Sequence, residues 1–323
     1  MSDYARLSPD LVLDAVESIG YLSDARVLAL NSYENRVYQV GIEDAEPLIA
    51  KFYRPGRWSN GQIEEEHEFS FELLEQEIPV IAPIKKDGKS LFEYQDYRFA
   101  LYPRRGGHAP ELDDLDTLHS LGQQLGRIHA IGQIKPFEHR PAISFETFGA
   151  SSREYVLEQQ LVPRSLLEAY SSVSQHLLEK VQAQLQAAPY EAIRLHGDCH
   201  PGNILVRYEQ LHIVDLDDAR NGPAMQDLWM LLNGDRVQRI NQLSSLLEGY
   251  EEFCEIDYRQ FRLIEPLRAL RMLHYCAWLA RRWSDPAFPL AFPWFNTENY
   301  WASHVLELRE QLATLDEEPL ALF

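Results

Sequence analysis

The stretch "RLHGDCHPGNILVRYEQLHIVDLDD", Arg194 to Asp218, holds the strong β signal of the C-terminal part of the chain. His196, Asp198, Cys199, His200 and Asn203 crowd its opening. Each of those side chains binds a metal or handles a proton. Two chemistries therefore compete: a soft-metal site built from His and Cys, or an oxygen-based magnesium and phosphate site in which the Cys is incidental.

The residues downstream favour the second. "NILV" (203–206) and "LHIVD" (211–215) are apolar and β-prone, and the polar "RYEQ" (207–210) separates them. This predicts an antiparallel hairpin. The start of its first strand lies beside the end of its second, so Asn203 and Asp215 meet. An amide oxygen beside a carboxylate suits Mg²⁺, which takes oxygen ligands and leaves room for phosphate oxygens and water. Asp198 lies one tight loop upstream and reaches the same space. The roles divide accordingly. Asp198 accepts or orients the proton of an attacking hydroxyl, and Asn203 and Asp215 hold Mg²⁺ on a nucleotide's phosphates. Phosphoryl transfer asks for little beyond positioning and charge neutralisation. Asp and Asn favour turns in any protein, but three of them flanking one hairpin, with Lys51 upstream, outweigh that reading. His196 and His200 are expected to hold the loop, and Cys199 to fill a small buried space.

The rest of the chain supplies the frame. Ser8-Pro9-Asp10 opens a helix whose apolar face is Leu11, Val12, Ala15, Val16 and Ile19, ending at Gly20. Five β-type segments follow: "RVLAL", "RVYQV", "PLIAKFY", "SLFEY" and "YRFALYP". A helix over about 60–76 interrupts them, and Lys86-Asp87-Gly88-Lys89 signals a turn. "YPRRGG" reads as a connector, beyond which helical periodicity takes over, as in Leu118, Leu121, Leu125 and Ile128. The expected fold class is α+β in two lobes: a small β-rich N-terminal lobe (1–102), a hinge (103–107) and a helical C-terminal lobe (108–323). The 323 residues carry a net charge of −20 and three unpatterned cysteines. The charge excludes a general nucleic-acid binder, which needs a basic stripe, and leaves cationic acceptors open. The cysteines predict no disulfide framework. No secretory signal and no membrane span is expected, since Arg271 and His274 break the most apolar late segment.

"HGDCHPGN" followed by "VDLDDA" resembles the catalytic and metal-binding loops of the aminoglycoside phosphotransferase and choline kinase-like family, which shares the protein-kinase fold. "LNSYENRVYQV", "KFYRPGRW", "GPAMQDLWMLLNGD", "LIEPLRALR" and "RRWSDPAFP" extend the likeness over nearly the whole chain, toward the bacterial stress response kinase A group. That resemblance implies a cytoplasmic, ATP- and Mg²⁺-dependent kinase acting on protein Ser/Thr. It makes Asp198 the proton acceptor, pairs Asp215 with it in catalysis, and makes Asn203 and Asp215 the magnesium ligands. It also places Ser32 and Lys51 at the nucleotide. Family enzymes pair the lysine with a helix glutamate. Of Glu64, Glu65 and Glu66, only Glu66 shares the apolar face of Ile63, Phe69 and Leu73. Strand alternation alone does not settle which face Lys51 uses. Two departures stand out: the first loop, "NSYENR", has no Gly-rich cradle, and no long activation segment follows Asp215. Asp217 and Asp218 either tune the metal site or pair with Arg220. Asp227 reads as structural, at the start of a helix or bracing the catalytic loop.

Three other readings compete with a protein kinase. They are a kinase of amino alcohols or aminoglycosides, a nucleotide-binding regulator with negligible turnover, and a zinc hydrolase using His196, Cys199 and His200. The full set Lys51, Glu66, Asp198, Asn203 and Asp215 argues against the regulator, and the zinc hydrolase lacks a further ligand pattern while the oxygen-rich partners suit Mg²⁺ better. A monomer is expected, since no coiled-coil pattern is evident.

Overall fold

Side-chain alternation on one strand sorts the two faces of the N-terminal sheet. The computed structural model describes residues 4–321. Helix α1 (Pro9–Ser18), capped by the Ser8 hydroxyl accepting from the Leu11 N–H, precedes strands β1 (Ser23–Ala29), β2 (Arg36–Ile42) and β3 (Ala45–Phe52). Helix α2 (Asn60–Glu75) follows, then β4 (Phe92–Tyr94) and β5 (Tyr97–Pro103). The five strands form one antiparallel sheet in the order β1-β2-β3-β5-β4. Ala50 and Phe52 of β3 join Val12, Ala15 and Val16 of α1, with Val40, Phe99 and Leu101, in a core on one face. Lys51 and Tyr53 therefore point to the other face, since successive strand side chains alternate. There Tyr53 packs with Trp58, Ala100 and the α2 residue Ile63. The face that the sequence left open for Lys51 is the α2 face.

Helix α2 begins where it does because Ser59 and Gln62 form a capping box: each side chain satisfies the other's backbone N–H. Tyr53 then holds the helix to the sheet through its hydroxyl, 2.7 Å from His67 Nε2, while His67 Nδ1 meets Ser90 Oγ at 2.9 Å. Burial pushes the His67 pKa down to about 3, so the ring is neutral.

The chain forms two compact units. The first comprises Met1–Pro110, Glu138–Arg140 and Pro201–Asp218, so the predicted hairpin shares a unit with the sheet. The hairpin is present as β7 (Ile204–Arg207) and β8 (Gln210–Ile213), once β6 (Ile193–Leu195) of the other unit has been passed. Its turn is tighter than expected, only Tyr208-Glu209, and both residues have positive φ (50° and 62°). That is the type I′ geometry that matches strand twist.

The second unit, Glu111–Phe137, Pro141–His200 and Ala219–Phe323, is mostly helical. It holds α3 (Leu115–Gly132), α4 (Ser151–Glu158), α5 (Leu167–Ala187), α6 (Met225–Trp229), α7 (Arg236–Tyr250), α8 (Ile264–Arg282), α9 (Ala287–Ala291) and α10 (Glu298–Thr314). The aromatic- and Pro-rich stretch 284–301 contains α9 and the start of α10, and its Phe288, Phe295 and Trp301 are core residues. A short strand without β propensity, β9 (Arg220–Gly222), pairs with β6. Asn221 secures it by bonding both the N–H and the C=O of Phe137 at 2.9 Å. Among the described residues no helix is long and apolar enough to cross a membrane.

Helices α3 and α7 touch backbone to backbone. A Cβ on Gly122 would lie 1.9 Å from the Leu246 carbonyl oxygen, and one on Gly249 would lie 2.0 Å from that of His119. Gly122→Ala gains about 1 kcal/mol of helix propensity but collides with backbone that cannot swing aside, at a cost of about 1–3 kcal/mol or more. The clash is expected to win. The variant should lose about 1–2 kcal/mol of stability in urea melts, and an unchanged or higher midpoint would show that the helices separate easily.

Candidate active site

The register of the hairpin brings the two expected magnesium ligands to one end. Ile204 faces Ile213, and just beyond them the Val214 N–H donates to the Asn203 carbonyl at 2.9 Å. Asp215 follows in the left-handed region, with φ 60°. This conformation is uncommon for a residue with a Cβ, though Asp tolerates it better than most. Its side chain is about half exposed (54%). An amide residue and an accessible carboxylate at one hairpin end form a donor set of hard oxygens, which fits Mg²⁺.

Lys51 reaches the same place from β3. Its ammonium lies 2.8 Å from Asp215 Oδ1 and 3.2 Å from Asp217 Oδ1. Burial works to lower the lysine pKa, but Asp215 and Asp217 hold it well above its ordinary value, so the group stays charged. The Lys51–Glu66 pair expected from the resemblance is not formed. Among the described residues the ion-pair partners of Lys51 are these two aspartates, which the turn after β8 delivers directly to the ammonium. Glu66 is nonetheless the inward member of its trio: it is buried, Glu64 is exposed, and Glu65 accepts from the backbone N–H groups of Glu138, His139 and Arg140. Glu66 Oε2 has no hydrogen-bond partner. Burial drives its pKa up to about 7, against the pull of Lys51 and Arg140.

Sequence reasoning missed the residue that organises this cluster. Arg57, from "KFYRPGRW", forms ion pairs with Asp217 and, at 2.6 Å, with Asp218. Asn35 donates to Asp217 Oδ2 at 3.2 Å, and Arg140 binds the Asp217 carbonyl. Burial would raise the Asp217 pKa, but Arg57 and Lys51 hold it below the usual carboxylate range. Asp217 and Asp218 thus serve an ionic network around the hairpin end. The only sequence signal for it was a cluster of arginines at 54 and 57 next to an acidic turn far downstream. Ser32 lies in the β1–β2 loop, where its hydroxyl donates to the Asn35 carbonyl at 3.2 Å.

Asp198 belongs to the second unit, in the loop after β6. Asp227 fixes that loop: its two carboxylate oxygens accept the N–H groups of His196 and Gly197, each at 2.8 Å. His129 Nε2 meets the same carboxylate at 3.0 Å, and its Nδ1 meets the Tyr250 hydroxyl at 3.0 Å. Burial would raise the Asp227 pKa, but these donors hold it below the ordinary range, so it stays ionised without solvent. Gly197 has φ 82°, a conformation that a side chain would strain. Asp227 therefore braces the loop, and His129 braces Asp227. The His196 ring sits within 3.3 Å of the Asp198 N–H. Cys199 is fully buried, and burial raises its thiol pKa well above normal, which disfavours the thiolate that a soft metal needs. The loop is built as scaffolding around one accessible carboxylate.

Glu66 generates a pH-dependent expectation. Its folded pKa is raised, so the folded protein keeps a proton that the unfolded chain loses above about pH 4.5. Its contribution to stability is full below that value and is lost as pH rises through about 7. Glu66→Gln removes the titration, so its stability relative to wild type should climb between pH 5 and 8 by on the order of 3 kcal/mol. Parallel stability curves for the two proteins across that range would show that Glu66 does not carry its proton.

The Escherichia coli (strain K12) protein "Stress response kinase A" is 45% identical over 319 residues, covering 99% of this chain and 97% of the relative. The Salmonella typhimurium "Serine/threonine protein kinase RdoA" is 45% identical with the same coverage. The solved structure of amicoumacin kinase hAmiN in complex with AMP-PNP, Ca²⁺ and Ami superposes with a TM-score of 0.77 at 18% identity, covering 99% of this chain and 96% of that one. It shares the α+β, protein-kinase-like fold. Residues 26–264 match the phosphotransferase enzyme family, and the chain belongs to that family.

Proposed function

We propose that this protein transfers the γ-phosphate of ATP, with Mg²⁺, to Ser and Thr hydroxyls of proteins, as a monomer in the bacterial cytoplasm during stress. The observation that carries the nucleotide half of this reading is the Lys51–Asp215 ion pair at the Asn203 end of the hairpin. It sets a fixed cation beside a hard-oxygen donor set, which suits a metal–triphosphate. The protein acceptor and the stress role are supported by relatives of 45% identity that carry those names.

The residues divide the work as follows. Lys51 leaves its aspartates to meet phosphate oxygens, and Glu66 stands within electrostatic reach to receive or steer it. Ser32 contributes a hydroxyl from the first loop. Asn203 and Asp215 would hold Mg²⁺, which would neutralise phosphate charge when bound. Asp198 takes the proton as the acceptor oxygen bonds to the γ-phosphorus. The bond from that phosphorus to the β–γ bridging oxygen breaks, and ADP leaves with the electron pair. Phosphorylated product, ADP and one proton account for all atoms.

Labelled Mg-ATP offered in parallel to general protein substrates and to a panel of amino alcohols and aminoglycosides tests the reading. Label is expected on protein Ser/Thr. Label confined to a small molecule would replace it with a small-molecule kinase of the same fold. Asp198→Asn should lower kcat by about 10²–10⁴ while nucleotide affinity stays within a few-fold. Asp215→Ala should lose the Mg²⁺ dependence of nucleotide binding. Full activity in the first variant would remove Asp198 from its role.

A further inference from the structure

Asp198 already has a cation on it. Arg271, from α8, places Nη1 2.6 Å from Asp198 Oδ1, and His200 Nε2 lies 3.5 Å from Oδ2. All three residues belong to the second unit. The Asp198 and Arg271 side chains are partly exposed, at 24% and 31%, although Oδ1, the oxygen that faces Arg271, is itself enclosed. The other arginines of α8 are committed elsewhere. Arg268 lies over Trp229 and pairs with Glu265, Arg281 lies over Tyr155, and Arg282 over Trp278.

This contact bears on proton transfer. The guanidinium engages Asp198 Oδ1, so that oxygen is not available to a donor hydroxyl while the pair holds. An acceptor hydroxyl approaching Asp198 must therefore either coexist with Arg271 or displace it. A guanidinium released into a site with no counter-charge loses its pairing, whereas one that passes to a second anion keeps it. An acceptor that carries a carboxylate or phosphate beside its hydroxyl supplies that anion. An acceptor that carries an ammonium there meets a like charge.

We propose that Arg271 sets acceptor specificity. It exchanges Asp198 for an anionic group on the acceptor, freeing the base and selecting hydroxyls with a negative charge close by. For a protein substrate this means Ser or Thr flanked by Asp or Glu. The proposal rests on Asp198 being the proton acceptor. It runs against the net charge of −20, which favours cationic partners at long range. Bulk charge is screened beyond about 8–10 Å, so the guanidinium at the reacting carboxylate dominates at contact.

The test uses the full chain with Mg-ATP and matched peptides in which one Ser is flanked by Glu, Ala or Lys. A hydroxy acid and an amino alcohol of equal length run alongside. The wild type should favour the Glu-flanked over the Lys-flanked peptide by about tenfold in kcat/KM, equivalent to about 1.4 kcal/mol. Arg271→Ala should level that order by losing activity on acidic acceptors while leaving Lys-flanked ones unchanged or improved. Arg271→Glu should reverse it, and Arg271→Lys should keep part of it. A wild type that ignores or prefers Lys overturns the proposal, as does an Arg271→Ala variant that slows every acceptor equally. If the Ala variant does not fold by circular dichroism, the Lys and Glu variants decide by the same ordering. If only small molecules accept label, the hydroxy acid and amino alcohol pair carries the comparison. Asp198→Asn separates the two readings. Loss on every acceptor keeps Asp198 as base, and retained activity removes the base reading whatever the Arg271 variants do.

Discussion

A buried ammonium is the constraint on which the first unit depends. The Lys51 side chain is 8% exposed, and an ion taken from water that far is tolerated only when paired. Asp215 and Asp217 supply the pairing from the end of a hairpin more than 160 residues away in sequence. The pairing works only if β3 turns Lys51 to the α2 face and the hairpin register puts Asp215 just past Val214. Around it, Lys51, Arg54, Arg57 and Arg140 face Asp215, Asp217, Asp218 and Glu34. Glu66 stands enclosed beside this network, and the cost of its burial outweighs the pull of Lys51 and Arg140, which raises its pKa.

Burial separates the aspartates that hold the fold from those available for chemistry. Asp227 and Asp217 are almost wholly enclosed and accept hydrogen bonds or ion pairs from several sides. Asp198 and Asp215 keep 24% and 54% of their side chains exposed. All four lie within thirty residues of one another in a chain where residue type alone cannot tell them apart. An enclosed carboxylate with strong donors is a fixed dipole that sets backbone direction, as Asp227 does for Gly197 and hence for Asp198. An accessible one can exchange its partner, as proton transfer and metal binding require.

Much of this was legible from local patterns. The hairpin followed from two apolar runs and a polar spacer, and the α+β class followed from the change in periodicity after residue 107. The inward position of Glu66 came from its spacing to Ile63, Phe69 and Leu73. What was not legible depends on contacts between distant residues. Strand alternation gives two faces but not which helix covers which, so the orientation of Lys51 needed α1 and α2 in place. The replacement of Glu66 by Asp215 and Asp217 as partners of Lys51 is a competition among three carboxylates, which spacing cannot rank. Arg57 and Arg271 have partners far along the chain, Asp217 and Asp198, which local pattern does not reveal. The strand β9 escaped notice because Arg-Asn-Gly has no β preference, and side-chain bonds from Asn221 hold it instead.

The first loop shows how the chain manages without a glycine-rich cradle. Residues 30–35 carry no glycine, so the backbone cannot wrap phosphate as closely as a Gly-rich turn does. Side chains fix the loop instead. Arg54 bonds the carbonyls of Glu34 and Tyr33 at 2.9 and 3.1 Å and pairs with the Glu34 carboxylate at 3.0 Å. Asn35 accepts the Arg54 N–H at 3.1 Å and reaches Asp217 with its amide nitrogen. A loop tied down in this way has lost its conformational entropy before a nucleotide arrives, so less is lost on binding. The same ties connect the loop to the acidic turn that receives Lys51. The position of Ser32 is therefore set by the ionic network rather than by a flexible flap, and a change at Arg54 or Asn35 acts on the first loop and on Asp217 together.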